Sequence, residues 1–94
     1  PAWMYLIVEK WEQVAIANGF SPEQAATLVR GTLAGSAGLL ASSGEEPAEL
    51  RRKVTSPGGT TERIIATLEG GELDKLFGEA LQAAVARAKE IASE

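Results

Sequence analysis

The sequence predicts an all-α fold of about five helices, and three features of the chain lead to that prediction. Apolar residues recur at steps of three and four positions through most of the chain, which is the period of one face of an α-helix. Gly, Asn and Pro separate the periodic segments, where they end one helix and begin the next. No segment keeps the strict apolar–polar alternation of a half-buried strand.

The first predicted helix covers residues 1–18 and is apolar around most of its circumference. Such a helix is usually buried on all sides, and a chain of 94 residues can hardly bury it alone. We therefore expect a second copy of the chain to cover part of it. Asn18 and Gly19 end the helix, with Gly in the position that follows the C-cap.

The second predicted helix begins at a capping box and ends at Gly44. Ser21 is the N-cap, Pro22 suits the first turn and Gln24 completes the box. The middle of this helix carries small residues on two adjoining faces, Gly31 with Gly35 and Ala34 with Gly38. Interior glycines cost a helix about 0.5–1 kcal/mol each relative to Ala. We expect another helix to approach closely there.

Three further helices are predicted over residues 45–54, 61–69 and 72–92. Pro47 fits the first turn of the third helix, and the basic run 51–53 suits its last turn. That run is either a solvated helix end or a source of positive potential beside an anion site. Two glycines at 70–71 end the fourth helix, and the last segment is strongly amphipathic.

Composition excludes several classes of function. The chain has no Cys and no His, which removes thiol chemistry, the commonest general base and the commonest metal ligands, so we expect no metal site. Its net charge of −4 argues against binding to nucleic acid or to an anionic membrane surface. We expect no signal peptide, and no apolar run reaches the length of a membrane span. Because it begins with Pro1, we expect a piece of a larger cytoplasmic protein.

Residues 54–61, VTSPGGTT, interrupt the helical pattern with hydroxyl side chains and two glycines. The backbone N–H groups at the start of the following helix are unpaired, and together with these hydroxyls they favour an anion such as a carboxylate. A phosphate-binding loop would need a preceding strand and a Lys that the segment lacks. In the plainer alternative, Thr60 caps the helix and SPGG only turns the chain. The residues alone leave both interpretations open.

The segment ELRRKVTSPGGTT, residues 49–61, closely resembles the signature of the C-terminal domain of pyrroline-5-carboxylate reductases. PAW at 1–3, the stretch 17–40 and GEEPAEL at 44–50 resemble the same domain, so the resemblance covers essentially the whole chain. One position departs from the family pattern: Ile64 stands where most members have Ala or Gly. A bulky Ile there is expected to affect packing beneath the loop and the substrate geometry.

The resemblance implies one domain of a two-domain enzyme that reduces 1-pyrroline-5-carboxylate to L-proline. Residues 1–94 would be the helical dimerisation and substrate-binding domain, interlocked with a second subunit. In many members the dimers assemble further, often to decamers. The N-terminal Rossmann domain, absent from this chain, would bind NADPH or NADH, and the chain alone is expected to be inactive.

By the same resemblance, the loop holds the carboxylate of the substrate. Ser56 corresponds to the serine that bonds it, and the backbone around Gly58, Gly59 and Thr60 to the amide donors. Thr61 corresponds to the threonine near the ring nitrogen, which we expect to position or relay the proton. Two alternatives are a paralogue that acts on another imino acid and a purely structural dimerisation module.

Overall fold

The structure, a computed structural model, describes residues 1–94 and consists of five α-helices without a strand. The all-α prediction is confirmed, and every predicted helix boundary lies within two residues of the observed one. No helix is both long and apolar enough to cross a membrane. The helices are α1 (Ala2–Ala17), α2 (Pro22–Ser43), α3 (Pro47–Val54), α4 (Thr60–Gly70) and α5 (Leu73–Ala92).

The end of α1 and the start of α2 follow from local sequence. Gly19 has a φ of +108°, and the N–H of Phe20 donates to the carbonyl of Ala15 at 3.2 Å, which closes a Schellman motif. The predicted capping box is also formed. The N–H of Gln24 donates to Oγ of Ser21 at 3.1 Å, and the N–H of Ser21 donates to Oε1 of Gln24 at 2.9 Å.

The chain divides into two units, and the first unit, Pro1–Leu50, holds a small core where α1 packs against α2. Its buried residues are Ala15, Ala25 and Val29, so the two helices meet through short side chains. Beside this contact, Glu12 accepts two bonds from the guanidinium of Arg30, at 2.9 and 3.2 Å. This hydrogen bond and the charge of Glu12 raise the pKa of Arg30 above its usual range.

The second unit, Arg51–Glu94, contains the end of α3, the loop, and the packed pair α4 and α5. No residue of this unit is buried. Burying one large apolar side chain stabilises a fold by roughly 1.5–3 kcal/mol. The exposed apolar residues of the second unit do not contribute this stabilisation within a single chain. Its exposed large apolar residues on α4 and α5 are Ile64, Leu68, Leu73, Leu76, Phe77, Leu81, Val85 and Ile91.

Two predictions about glycines have different outcomes. A Cβ added at Gly31, Gly35 or Gly38 would meet no atom within 4 Å, so no helix of this chain makes the predicted close approach. The glycine pair at 70–71 ends α4 as predicted, and Gly71 is its C-cap with an ordinary φ of −81°. The left-handed residue is instead Glu72, with a φ of +56°.

Candidate functional site

The SPGG part of the loop forms a tight turn in the second unit. The N–H of Gly59 donates to the carbonyl of Ser56 at 3.0 Å. Pro57 occupies the second position of this turn, and Gly58 the third, with a φ of +73°. Pro followed by a residue with positive φ is the pattern of a type II turn. The turn therefore accounts for both Pro57 and Gly58.

Gly59 suits its position for a different reason. It is the N-cap of α4, and its φ of −85° is one that any residue adopts. A Cβ at this position would lie 3.2 Å from the carbonyl oxygen of Ser56 and 3.4 Å from the Ser56 Cβ. Because Gly59 has no side chain, there is space beside it for the carbonyl oxygen of Ser56, and α4 begins directly after the turn.

One of the four hydroxyl residues in the loop has a structural role. The hydroxyl of Thr55 donates to the carbonyl of Arg51 at 2.6 Å, which satisfies a carbonyl at the C-terminal end of α3. The guanidinium of Arg51 also lies 3.3 Å from the carboxylate of Glu69, and both side chains are exposed. Arg51 in the basic run therefore already has an acidic neighbour within the unit.

The remaining hydroxyls lie at the N-terminus of α4 with no hydrogen-bond partner. Thr60 is the first helical residue and not the N-cap, and no side chain of the N-cap residue bonds to the helix. The backbone N–H groups of Thr60 and Thr61 do not bond back to the loop. The side chains of Ser56, Thr60 and Thr61 are all exposed. The structure thus brings together three residues with unused donors at the positive end of a helix dipole.

The amides of the two glycines, in contrast, are already engaged inside the loop. The N–H of Gly59 bonds to Ser56, and the N–H of Gly58 donates to Oε2 of Glu62. The sequence interpretation did not assign a role to Glu62. The available signal was an acidic residue in the third helical position, a place where a carboxylate reaches back to the backbone before the helix.

Ile64, the position that departs from the family pattern, lies on α4 and is 59% exposed. Within the second unit it therefore has room for its larger side chain. Two shallow grooves on the first unit are lined by residues between Tyr5 and Leu33, and neither contains a residue of the loop. The loop presents its donors on an open surface and not in an enclosed pocket.

Comparisons with known proteins agree with this fold. A family model described as pyrroline-5-carboxylate reductase dimerisation matches residues 1–91. The class of protein that this match defines is a helical dimerisation domain. This chain belongs to the pyrroline-5-carboxylate reductase dimerisation family.

Among curated relatives, a pyrroline-5-carboxylate reductase of Vibrio alginolyticus is 41% identical over 97% of this chain and 34% of its own length. One from Pseudomonas aeruginosa is 39% identical over the whole chain and likewise 34% of its own length. The chain therefore spans about a third of the length of the curated relatives it matches.

Two solved structures are similar in fold. A pyrroline-5-carboxylate reductase from Coxiella burnetii matches with a TM-score of 0.90 and 44% identity, over 96% of this chain and 33% of that one. A Plasmodium falciparum pyrroline carboxylate reductase with NADP bound matches with a TM-score of 0.85 and 31% identity, over 89% of this chain and 32% of that one.

Proposed function

We propose that this chain is the dimerisation and substrate-binding domain of an NAD(P)H-dependent pyrroline-5-carboxylate reductase. The observation that carries the proposal is the loop of this family member: Ser56, Thr60 and Thr61 present unused donors at the start of α4. The reaction would convert 1-pyrroline-5-carboxylate to L-proline. Two thirds of the relatives' length lies outside the matched region, so the rest of the active site would come from residues beyond this chain.

The carboxylate of the substrate is the group that the loop would bind. It would accept hydrogen bonds from the hydroxyl of Ser56 and from the backbone N–H groups of Thr60 and Thr61 at the positive end of α4. Gly58 and Gly59 would contribute by shaping the turn, because their own amides are bonded within the loop. No Lys or Arg is needed, since several N–H donors together hold one negative charge.

Thr61 would act at the ring nitrogen. Reduction of the imine adds a hydride to the carbon of the C=N bond and a proton to its nitrogen. An alcohol is too weak an acid to supply that proton unaided, so the Thr61 hydroxyl would position the ring or relay a proton from water. The substrate carboxylate bound nearby would fix the ring for this step.

The residues of this chain do not fit a nicotinamide dinucleotide. It has no strand and no Gly-x-Gly-x-x-Gly turn between a strand and a helix. The hydride donor, NADPH or NADH, would be held mainly by a Rossmann domain outside this chain. The solved structure of the Plasmodium falciparum relative has NADP bound. No step assigned to this chain depends on which of the two donors is used.

A homodimer is the proposed assembly of the chain. The second unit has no buried residue, and the small-residue positions Gly31, Gly35 and Gly38 have open space beside them. A second copy would cover these surfaces by interlocking its helices with them. We expect sedimentation equilibrium at micromolar concentration to give twice the chain mass of 9.9 kDa. A monodisperse monomer would contradict the proposal, and decamers are expected only of the full-length enzyme.

Steady-state kinetics of the full-length enzyme that carries this chain tests the site. Ser56→Ala and Thr61→Val each remove one unused hydroxyl and should lower kcat/KM for 1-pyrroline-5-carboxylate at least ten-fold, the effect of losing one hydrogen bond to a charged or reacting group. Thr67→Val is the matched control, because the Thr67 hydroxyl donates only to the carbonyl of Arg63 within α4. Unchanged kinetics in the loop variants would refute the carboxylate site and leave a structural module.

A second candidate, reduction of an imino acid with another ring size, is left open by one observation, the Ile at position 64. The same enzyme preparation distinguishes the two. We expect kcat/KM to be higher for the five-membered pyrroline carboxylate than for its six-membered homologue, and the reverse order would favour the paralogue.

A further inference from the structure

The carboxylate of Glu62 is the only side-chain acceptor that bonds to the backbone at the N-terminus of α4. It reaches back by one turn and accepts the N–H of Gly58, the left-handed residue of the turn. This contact links the first turn of α4 to Gly58, whose left-handed conformation sets the direction of the chain in the turn. Its importance for function rests on the proposed carboxylate site.

The start of α2 has an equivalent contact, because Oε1 of Gln24 accepts the N–H of Ser21. There the hydroxyl of Ser21 is consumed as the cap, because it accepts the N–H of Gln24. At α4 Glu62 makes the reaching-back contact, but the N-cap is Gly59, which has no side chain, so no hydroxyl of the loop is used as a cap. Three hydroxyls in and beside the turn consequently remain without an internal partner.

We propose that Glu62 is a positioning residue for the substrate site. It caps the loop through Gly58, so that the turn is held in place while the hydroxyls of Ser56, Thr60 and Thr61 stay available to the ligand. Glu62 does not touch the substrate in this proposal. It acts by keeping the donors pre-organised, which lowers the ordering cost of binding.

The charge of Glu62 and its hydrogen bond have opposite effects on an anionic ligand. The hydrogen bond pre-organises the loop and strengthens binding, whereas the negative charge repels the substrate carboxylate. Glutamine keeps an acceptor oxygen of the same reach and removes the charge. Alanine removes both. The two substitutions therefore separate the positioning effect from simple electrostatics.

Kinetics of the full-length enzyme tests the proposal. Glu62→Ala should raise KM for 1-pyrroline-5-carboxylate about five-fold, the equivalent of a lost N-terminal cap, with kcat changed less than two-fold. Glu62→Gln should give a KM equal to that of the wild type or lower, because the bond is kept and the repulsion removed. Glu79→Ala, at an exposed acidic residue on α5, is the control and should leave KM unchanged.

The amide proton of Gly58 gives a readout that does not depend on activity. In NMR spectra of the chain it should resonate downfield in the wild type and in Glu62→Gln, and shift upfield toward the position of a water-exposed amide in Glu62→Ala. The proposal is overturned if Glu62→Gln raises KM as much as Glu62→Ala does, or if the Gly58 proton does not move in Glu62→Ala. Unchanged kinetics in Ser56→Ala and Thr61→Val would instead refute the proposed function, while the Gly58 shift would still report the cap.

Discussion

Substitution of Gly58 by Ala tests the turn that precedes α4. Gly58 has a φ of +73°, and a Cβ added there would meet no atom within 4 Å. The effect is therefore one of backbone conformation without a steric clash. An L-residue in the left-handed region costs roughly 1–2 kcal/mol, and Ala recovers about 0.4–1 kcal/mol by restricting the unfolded chain.

These two terms give a net loss of about 0.8 kcal/mol in the free energy of unfolding for Gly58→Ala. For a domain of this size such a loss lowers the melting temperature by about 3–6 °C. Thermal unfolding followed by circular dichroism measures the shift. All variants should be compared at one protein concentration, because the stability of a dimer depends on it.

The matched control is the same substitution at a helical glycine. Gly78 lies within α5 on the exposed surface and does not have a positive φ. Gly78→Ala should raise stability by about 0.5–1 kcal/mol, the opposite sign for the same chemical change. Gly58→Asn should recover part of the loss, because Asn tolerates the left-handed region. A melting temperature that is unchanged or higher in Gly58→Ala would refute the argument from backbone conformation.

Three further predictions concern the first unit. Val29→Ala, at a fully buried position, should destabilise by about 2 kcal/mol in urea unfolding, against a few tenths for exposed Val54→Ala. Ser21→Ala should cost about 1 kcal/mol in the same assay and lower the helical signal at 222 nm, because the capping box is lost. The pKa of Arg30 is higher in the folded state than in the unfolded state. Its ion pair with Glu12 therefore stabilises the fold at every pH below the unfolded-state pKa of Arg30, and this contribution is lost only as the pH rises through the folded-state pKa. The stability difference between wild type and Arg30→Gln should thus stay constant from about pH 7 to 10.

Local features of the fold were predictable because neighbouring residues determine them. The capping box of Ser21 with Gln24 and the Gly19 termination need only a few consecutive residues, and both are formed. The ion pair of Glu12 with Arg30 joins residues 18 positions apart, and only the packing of α1 on α2 brings them together. No sequence period reports such a contact.

At the site, sequence identified the donor-rich loop but not how its groups are divided among tasks. The resemblance predicts ligand binding for both Gly58 and Gly59, and the structure adds a distinct place for each within the turn. Thr55 differs from the other three hydroxyl residues of the loop because its hydroxyl bonds to the backbone of α3. Hydrogen bonds of this kind depend on dihedral angles, which composition and spacing do not determine.

The absence of a buried residue in the second unit has a consequence for the rate of folding. The helix contacts inside each unit join neighbouring elements, α1 with α2 and α4 with α5, and such local contacts form quickly. In the proposed homodimer, α4 and α5 acquire an interior only when a second copy arrives. The last folding step would then be second order in protein. A freshly made chain would bury the apolar residues of α4 and α5 only after it met a partner, at a rate that rises with protein concentration.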